Sequence, residues 1–248
     1  MNSNLVIIPY LAKEAQGNEL ELAVAGWRRH FLSPHHICIV GDEPDFKLPE
    51  NATWLDCPRI APVEGQYLPH LDIIGKIDLA LHNFPEFDEF VYSCDDIYAV
   101  NDFDIEEIKF PKVQDWVMPV VADDEGNGWW RDLGKTRRVC EENGYAMHNW
   151  VCHLPVCYDR SAYLAVIEGH GCRQTSYVVE NLYFNALWSN RVPYVLNKGN
   201  NFKYPVQSKF NPAEFEAALA TKIWVYNSVG GWCEELEEKL MKHYGICK

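Results

Sequence analysis

Leu5-Val6-Ile7-Ile8-Pro9 and His36-Ile37-Cys38-Ile39-Val40-Gly41 are two short apolar runs. Between them lie residues 19–31, where Leu20, Leu22, Ala23, Trp27 and Phe31 follow an approximately helical spacing. Apolar runs this short, bounded by turn residues, read as buried parallel strands. Asn18 stands where a helix N-cap is expected, and Gly41-Asp42 ends the second run. Strand, helix and strand within about 40 residues make a βαβ unit, which implies a right-handed crossover and a parallel sheet. The predicted fold class is α/β, with a mostly parallel central sheet flanked by helices.

The pattern continues outward from this unit. Residues 72–81 carry Ile73, Ile74, Ile77 and Leu81 on one helical face, and Phe84-Pro85 ends the helix. Residues 89–94 read as a strand running directly into Asp95-Asp96. Residues 116–121 read as a further strand, and 134–143 as a helix with Gly144 as its C-cap. In the second half, strands are expected at 150–154, 193–196 and 222–225, and helices at 159–168, 177–188 and 231–244. No repeat, low-complexity tract or linker divides the chain, so residues 1–248 read as one domain, near the upper size for a single core.

Composition narrows the partners. The formal net charge is −14, from 36 acidic and 22 basic residues. Such a surface repels phosphate backbones, which argues against duplex nucleic acid. An anionic substrate would need a metal ion or a local basic cluster to neutralise it. Aromatic residues make up 13% of the chain and recur in polar segments such as Gly128-Trp129-Trp130-Arg131, a composition suited to sugar or base platforms as well as to core packing. The nine cysteines are odd in number, scattered and without a C-x-x-C pair, so buried free thiols in a reducing cytoplasm are expected. No basic-then-apolar leader and no 18-residue apolar stretch occurs, so neither a signal peptide nor a membrane span is expected.

The most informative local motif is Phe90-Val91-Tyr92-Ser93-Cys94-Asp95-Asp96-Ile97-Tyr98. Two carboxylates at the carboxyl end of a parallel strand sit where open α/β sheets bind ligands. One or two carboxylates can hold a divalent ion while leaving positions for phosphate oxygens and water. A solvated strand end fits the same pattern. On the preceding helix, which starts at Asp72, Lys76 could meet a phosphate at that rim or simply be exposed. In Met147-His148-Asn149-Trp150-Val151-Cys152-His153-Leu154-Pro155, strand alternation would put Asn149, Val151 and His153 on one face, with His153 a metal ligand or general base. Arg173, Tyr177, Asn181 and Tyr183 gather at a helix start, where Arg173 could clamp a phosphate. Walker, G-x-G-x-x-G and G-x-S-x-G motifs do not occur, which removes support for P-loop, dinucleotide and serine-hydrolase chemistry.

Taken in order, these segments resemble bacterial and phage glycosyltransferase-like proteins related to the Stealth capsular-polysaccharide transferases. The resemblance rests on Ile39-Val40-Gly41-Asp42-Glu43-Pro44, the Asp72/Lys76 helix, Cys94-Asp95-Asp96, Asn149 to Pro155 and the segment after Arg173. More distantly, the chain is similar to metal-dependent nucleotide-sugar transferases of the GT-A fold. The resemblance implies a cytoplasmic enzyme that moves a sugar from a UDP-, GDP- or CMP-linked donor to a saccharide or lipid-linked saccharide acceptor, in surface or capsular polysaccharide synthesis. It implies Mn²⁺ or Mg²⁺ on Asp95, Asp96 and His153, catalysis by His153 and Asp96, and substrate contacts from Lys76, Asp72, Arg173 and Asn149. The chain has Cys94 where relatives often carry Asn, has Ile97 where they often carry His, and lacks an Asp-x-Asp triplet. Two alternatives stay open: transfer of a sugar 1-phosphate, and carbohydrate binding without catalysis.

Overall fold

The structure, a computed structural model, describes residues 3–59, 68–121, 128–196, 202–207, 209–228 and 230–246. Its first half runs β1 (Asn4–Tyr10), α1 (Glu19–His30), β2 (His35–Gly41), β3 (Ala52–Asp56), α2 (Pro69–Asn83), β4 (Glu89–Tyr92) and β5 (Ile97–Ala99). There follow α3 (Ile105–Lys109), β6 (Lys112–Val113), α4 (Gly128–Asn143), β7 (Val156–Asp159), α5 (Arg160–Gly169) and α6 (Val179–Leu187). The chain continues through β8 (Tyr194–Val195), β9 (Lys203–Val206), α7 (Pro212–Thr221), β10 (Trp224–Asn227) and α8 (Glu234–Tyr244).

The central sheet has the order β3-β2-β1-β4-β7. All neighbouring strands are parallel except β7, which is antiparallel to β4. Because β1 leads outward to β2 and β3 on one side and β4 lies on its other side, the direction of winding reverses between β1 and β4. A crevice opens at the carboxyl ends of strands at such a point. β5, β10 and β9 form a second sheet, and β6 pairs with β8.

Side-chain alternation along β1 builds a core on each face. Leu5 and Ile7 join Cys38, Val40 and Phe90 beneath α2, α4, α5 and α6. Val6 and Ile8 join Ile37, Ile39 and Val91 beneath α1. There Trp27 is fully buried and meets Phe31, Phe103 and Trp224 at ring-centroid distances of 5.1, 5.4 and 5.6 Å. Each such contact adds about 0.5–1.5 kcal/mol beyond simple burial. A third cluster, with Leu22, Tyr98, Val225, Leu236 and Leu240, fastens α8 to α1 and the second sheet.

The α/β class with a mostly parallel, helix-flanked sheet is what the sequence predicts, while several elements differ from the expectation. β3 falls in a stretch read as a loop, because its half-exposed edge position leaves no continuous apolar run. Residues 116–121 form no strand. Residues 150–154 form none either, and His153 adopts φ 47° there, so the alternation expected for Asn149 and His153 does not operate. Asn18 occupies the N-cap position of α1 without capping it; its Nδ2 donates to Glu237 Oε1 on α8 at 3.0 Å. Gln16 N–H donates instead to Glu19 Oε2 at 2.7 Å. The eight described cysteines are free thiols, and Cys247 lies outside the described residues. Among the described residues no helix is long and apolar enough to cross a membrane.

Candidate active site

The crevice between β1 and β4 is a cavity of about 250 Å³. Pro9, Tyr10 and Leu11 line it from the end of β1, Tyr92, Cys94 and Asp95 from the end of β4, and Asp72 and Lys76 from α2. Its backbone depends on Gly41, whose φ of 142° is outside the range most side chains adopt. A Cβ at Gly41 would lie 1.9 Å from the Tyr10 carbonyl oxygen. That oxygen accepts from Asp42 N–H at 3.3 Å and from the Lys76 ammonium at 3.2 Å.

Lys76 is 1% exposed and pairs with Asp72 Oδ2 at 2.9 Å. The ammonium has three donors, and among the described residues these partners take two of them. Asp95 and Asp96 form the turn by which the chain leaves the central sheet for β5. Burial pushes the Asp95 carboxyl up to about 7, with the Glu19 charge adding to the effect and Lys76 opposing it. Burial, then Asp95, then Glu19 raise Asp96 to about 7 as well. Glu19 is itself raised by burial; its Oε1 accepts from Asn227 Nδ2 at 2.6 Å, and Asn227 Oδ1 accepts the Tyr98 hydroxyl. Asn227 N–H donates to Asp96 O at 3.2 Å, which ties β10 to the acidic turn.

This is an acid-rich pocket whose carboxylates repel one another, and a divalent cation would relieve that repulsion. Asp95 and Asp96 are the carboxylates that would hold such an ion. His153 does not join them in a ready-made set: among the described residues no three His, Cys, Asp or Glu side chains are grouped to hold a metal. His153 stacks on Tyr226 with centroids 4.8 Å apart and planes 2° from parallel. Its outer edge is exposed, but burial of the stacked ring and then the Lys203 charge lower its pKa to about 4. Tyr226 feels the Asp96 charge, so His153 stands one ring away from the acidic turn.

Two expected substrate contacts are engaged elsewhere. Arg173 binds Asp78 through two hydrogen bonds of 2.6 and 3.1 Å on the outside of α2, and it does not line the cavity. Asn149 is buried; its N–H donates to Asp115 O at 3.0 Å and its Oδ1 accepts from Asn181 Nδ2 at 3.4 Å. Asn181 and Asn185 of α6 hold residues 148–150 in place, with Asn181 Oδ1 accepting Trp150 N–H at 2.6 Å and Asn185 Oδ1 accepting His148 N–H at 3.0 Å. Ile97 faces the apolar core.

The structure adds a carboxylate that the motif reading passes over. Glu180, in the first turn of α6, is raised by burial, with its own backbone N–H opposing the effect. Its charge helps to raise Tyr92 and Cys94 at the end of β4, which puts it within electrostatic reach of the cavity. A lone acid in the first turn of an apolar helix was the available signal, and in sequence it reads as a partner for the helix dipole.

No family profile and no curated protein matches this sequence. Among solved structures, the apo structure of WbbM, a bifunctional glycosyltransferase, is similar with a TM-score of 0.54 and 12% identity. The match covers 98% of this chain and 49% of that one, so the chain spans about half the length of the solved relative. At this identity the likeness shows a shared fold: a mixed α/β, GT-A-like architecture around a mostly parallel sheet.

Proposed function

We propose that the chain is a glycosyltransferase that moves a sugar from a nucleotide-sugar donor to a hydroxyl of a saccharide acceptor, in the cytoplasmic assembly of a surface polysaccharide. The observation that carries this reading is the acidic turn Asp95-Asp96, both carboxyls raised to about 7, with Asp95 lining the crevice between β1 and β4. The donor diphosphate lies at that mouth. Mn²⁺ or Mg²⁺ held by Asp95 and Asp96 would neutralise the diphosphate as the glycosidic bond breaks.

The chain's own groups do the rest. Lys76 offers its remaining N–H to the donor, and Asp72 keeps that ammonium in place. Glu180 takes the proton of the acceptor hydroxyl; a base with a raised pKa holds that proton better at neutral pH. His153, neutral at pH 7, presents its exposed edge to the sugar while Tyr226 supports its face.

Incubation with UDP-, GDP- and CMP-sugars, Mn²⁺ and an acceptor panel tests the reading. Nucleoside diphosphate release that is lost in Asp95→Ala supports it. With a UDP- or GDP-sugar as donor, nucleoside monophosphate release would replace it with sugar 1-phosphate transfer, whereas a CMP-sugar gives CMP by glycosyl transfer itself. Glycan binding that needs neither nucleotide nor metal, without turnover, would replace it with carbohydrate recognition.

A further inference from the structure

A second cavity, of about 280 Å³, runs along β7, whose outer edge has no strand partner in the central sheet. Its walls include Ile108, Phe110, Trp150, Leu154, Val156 and Phe184. Three polar groups of its lining are engaged within the protein. Trp150 Nε1 donates to Asn185 Oδ1 at 3.0 Å, Cys152 Sγ donates to Lys112 O at 3.4 Å, and the Tyr183 hydroxyl accepts Asp159 N–H at 3.1 Å. A sugar seated here would bury several hydroxyls against walls that are mostly apolar, at a cost for each one left unbonded. A hydrocarbon chain incurs no such cost.

The lining also carries Lys109, Lys112 and Arg191, a local excess of cations in a chain of net charge −14. The acids beside them are occupied: Glu89 pairs with Lys109 at 2.6 Å, and Asp159 Oδ1 accepts from Ser161 Oγ at 2.6 Å and Ala162 N–H at 2.8 Å. Lys112 donates to the Phe110 carbonyl at 3.0 Å. Arg191 differs. It is exposed, lies 4.3 Å above the Trp188 ring, and among the described residues has no carboxylate partner. Exposed Leu187, Val192 and Tyr194 flank it in the chain. An apolar cavity with an exposed cation in its lining suits a ligand with an oily tail and an anionic head.

We propose that this cavity binds the hydrocarbon chain of an anionic amphiphile, with the head group on Arg191. Its basis is the cavity alone, so it holds whether or not the chain turns over a donor. In a transferase the site would hold the lipid end of a lipid-linked acceptor.

The test is titration of the full chain with dodecyl phosphate below its micellar concentration, read by the fluorescence of Trp150 and Trp188. Saturable 1:1 binding is expected, with no response to inorganic phosphate. Val156→Phe, which fills the cavity, should abolish binding while thermal unfolding reports an intact fold. Arg191→Ala should weaken dodecyl phosphate about fivefold and leave neutral dodecyl maltoside unchanged. Absence of dodecyl phosphate binding, equal binding of inorganic phosphate, or an unchanged affinity in Arg191→Ala would overturn the proposal. Because Arg191 is exposed, its variant decides the matter even if Val156→Phe does not fold.

Discussion

Lys76 and Asp72, one turn apart on α2, form an ion pair of 2.9 Å in which both side chains are buried. The pair closes the floor of the crevice, and Lys76 also holds the Tyr10 carbonyl at the end of β1. Removing one partner strands the other charge. Asp72→Asn should therefore lose about 3–5 kcal/mol of stability, whereas the double change Asp72→Leu with Lys76→Met should lose much less. Urea unfolding of the three proteins measures both values.

Asp95 and Asp96 sit at about 7 in the folded chain, against an ordinary value of 3.8. Between those values the folded state holds more protons than the unfolded one, so these groups make stability fall as pH rises from 4 to 7. His70 is buried and lowered to about 4, and it acts in the opposite direction. The difference between wild type and Asp95→Asn isolates the carboxylate contribution. Relative to wild type, Asp95→Asn should gain stability progressively from pH 4 to 7 and level off above. Equal pH dependence in the two proteins would contradict this.

The same protonation governs metal affinity. Below pH 7 protons compete with the ion for both Asp95 and Asp96, so Mn²⁺ binding should tighten about 60-fold from pH 5.5 to 6.5. With only two protein ligands, tight binding should also require a nucleoside diphosphate. Electron paramagnetic resonance of Mn²⁺, with and without UDP and in Asp96→Asn, reads both effects without any turnover.

Glu180→Gln keeps the shape of the side chain and removes its basicity. It should lower kcat by about 10²- to 10⁴-fold with donor KM unchanged, the range expected for loss of a general base. His153→Ala should act mainly on KM, since an imidazole lowered to about 4 is a weak base. The reverse pattern would transfer the role of base to His153.

Arg173→Ala should leave donor KM unchanged, because the guanidinium is committed to Asp78 outside the cavity. The pair is partly exposed, and its loss should change stability by no more than about 1 kcal/mol. Steady-state kinetics with a matching thermal melt decides it.

Local signals were legible in the amino-acid sequence. The continuous apolar run Leu5 to Ile8, the apolar run ending at Gly41 and the acidic pair following Tyr92 depend on neighbours only a few residues away. They specified the parallel α/β sheet and the rim where its strands end. Tertiary structure alone decided which polar side chains are left to act. Arg173 is taken by Asp78, 95 positions away, and Glu19 is bound to Asn227 across 208 positions. The raised carboxyls of Asp95, Asp96 and Glu180 arise from burial by elements distant in the chain. Hydrophobic periodicity is a local property, whereas the partner and charge state of a polar group depend on which remote segments pack against it.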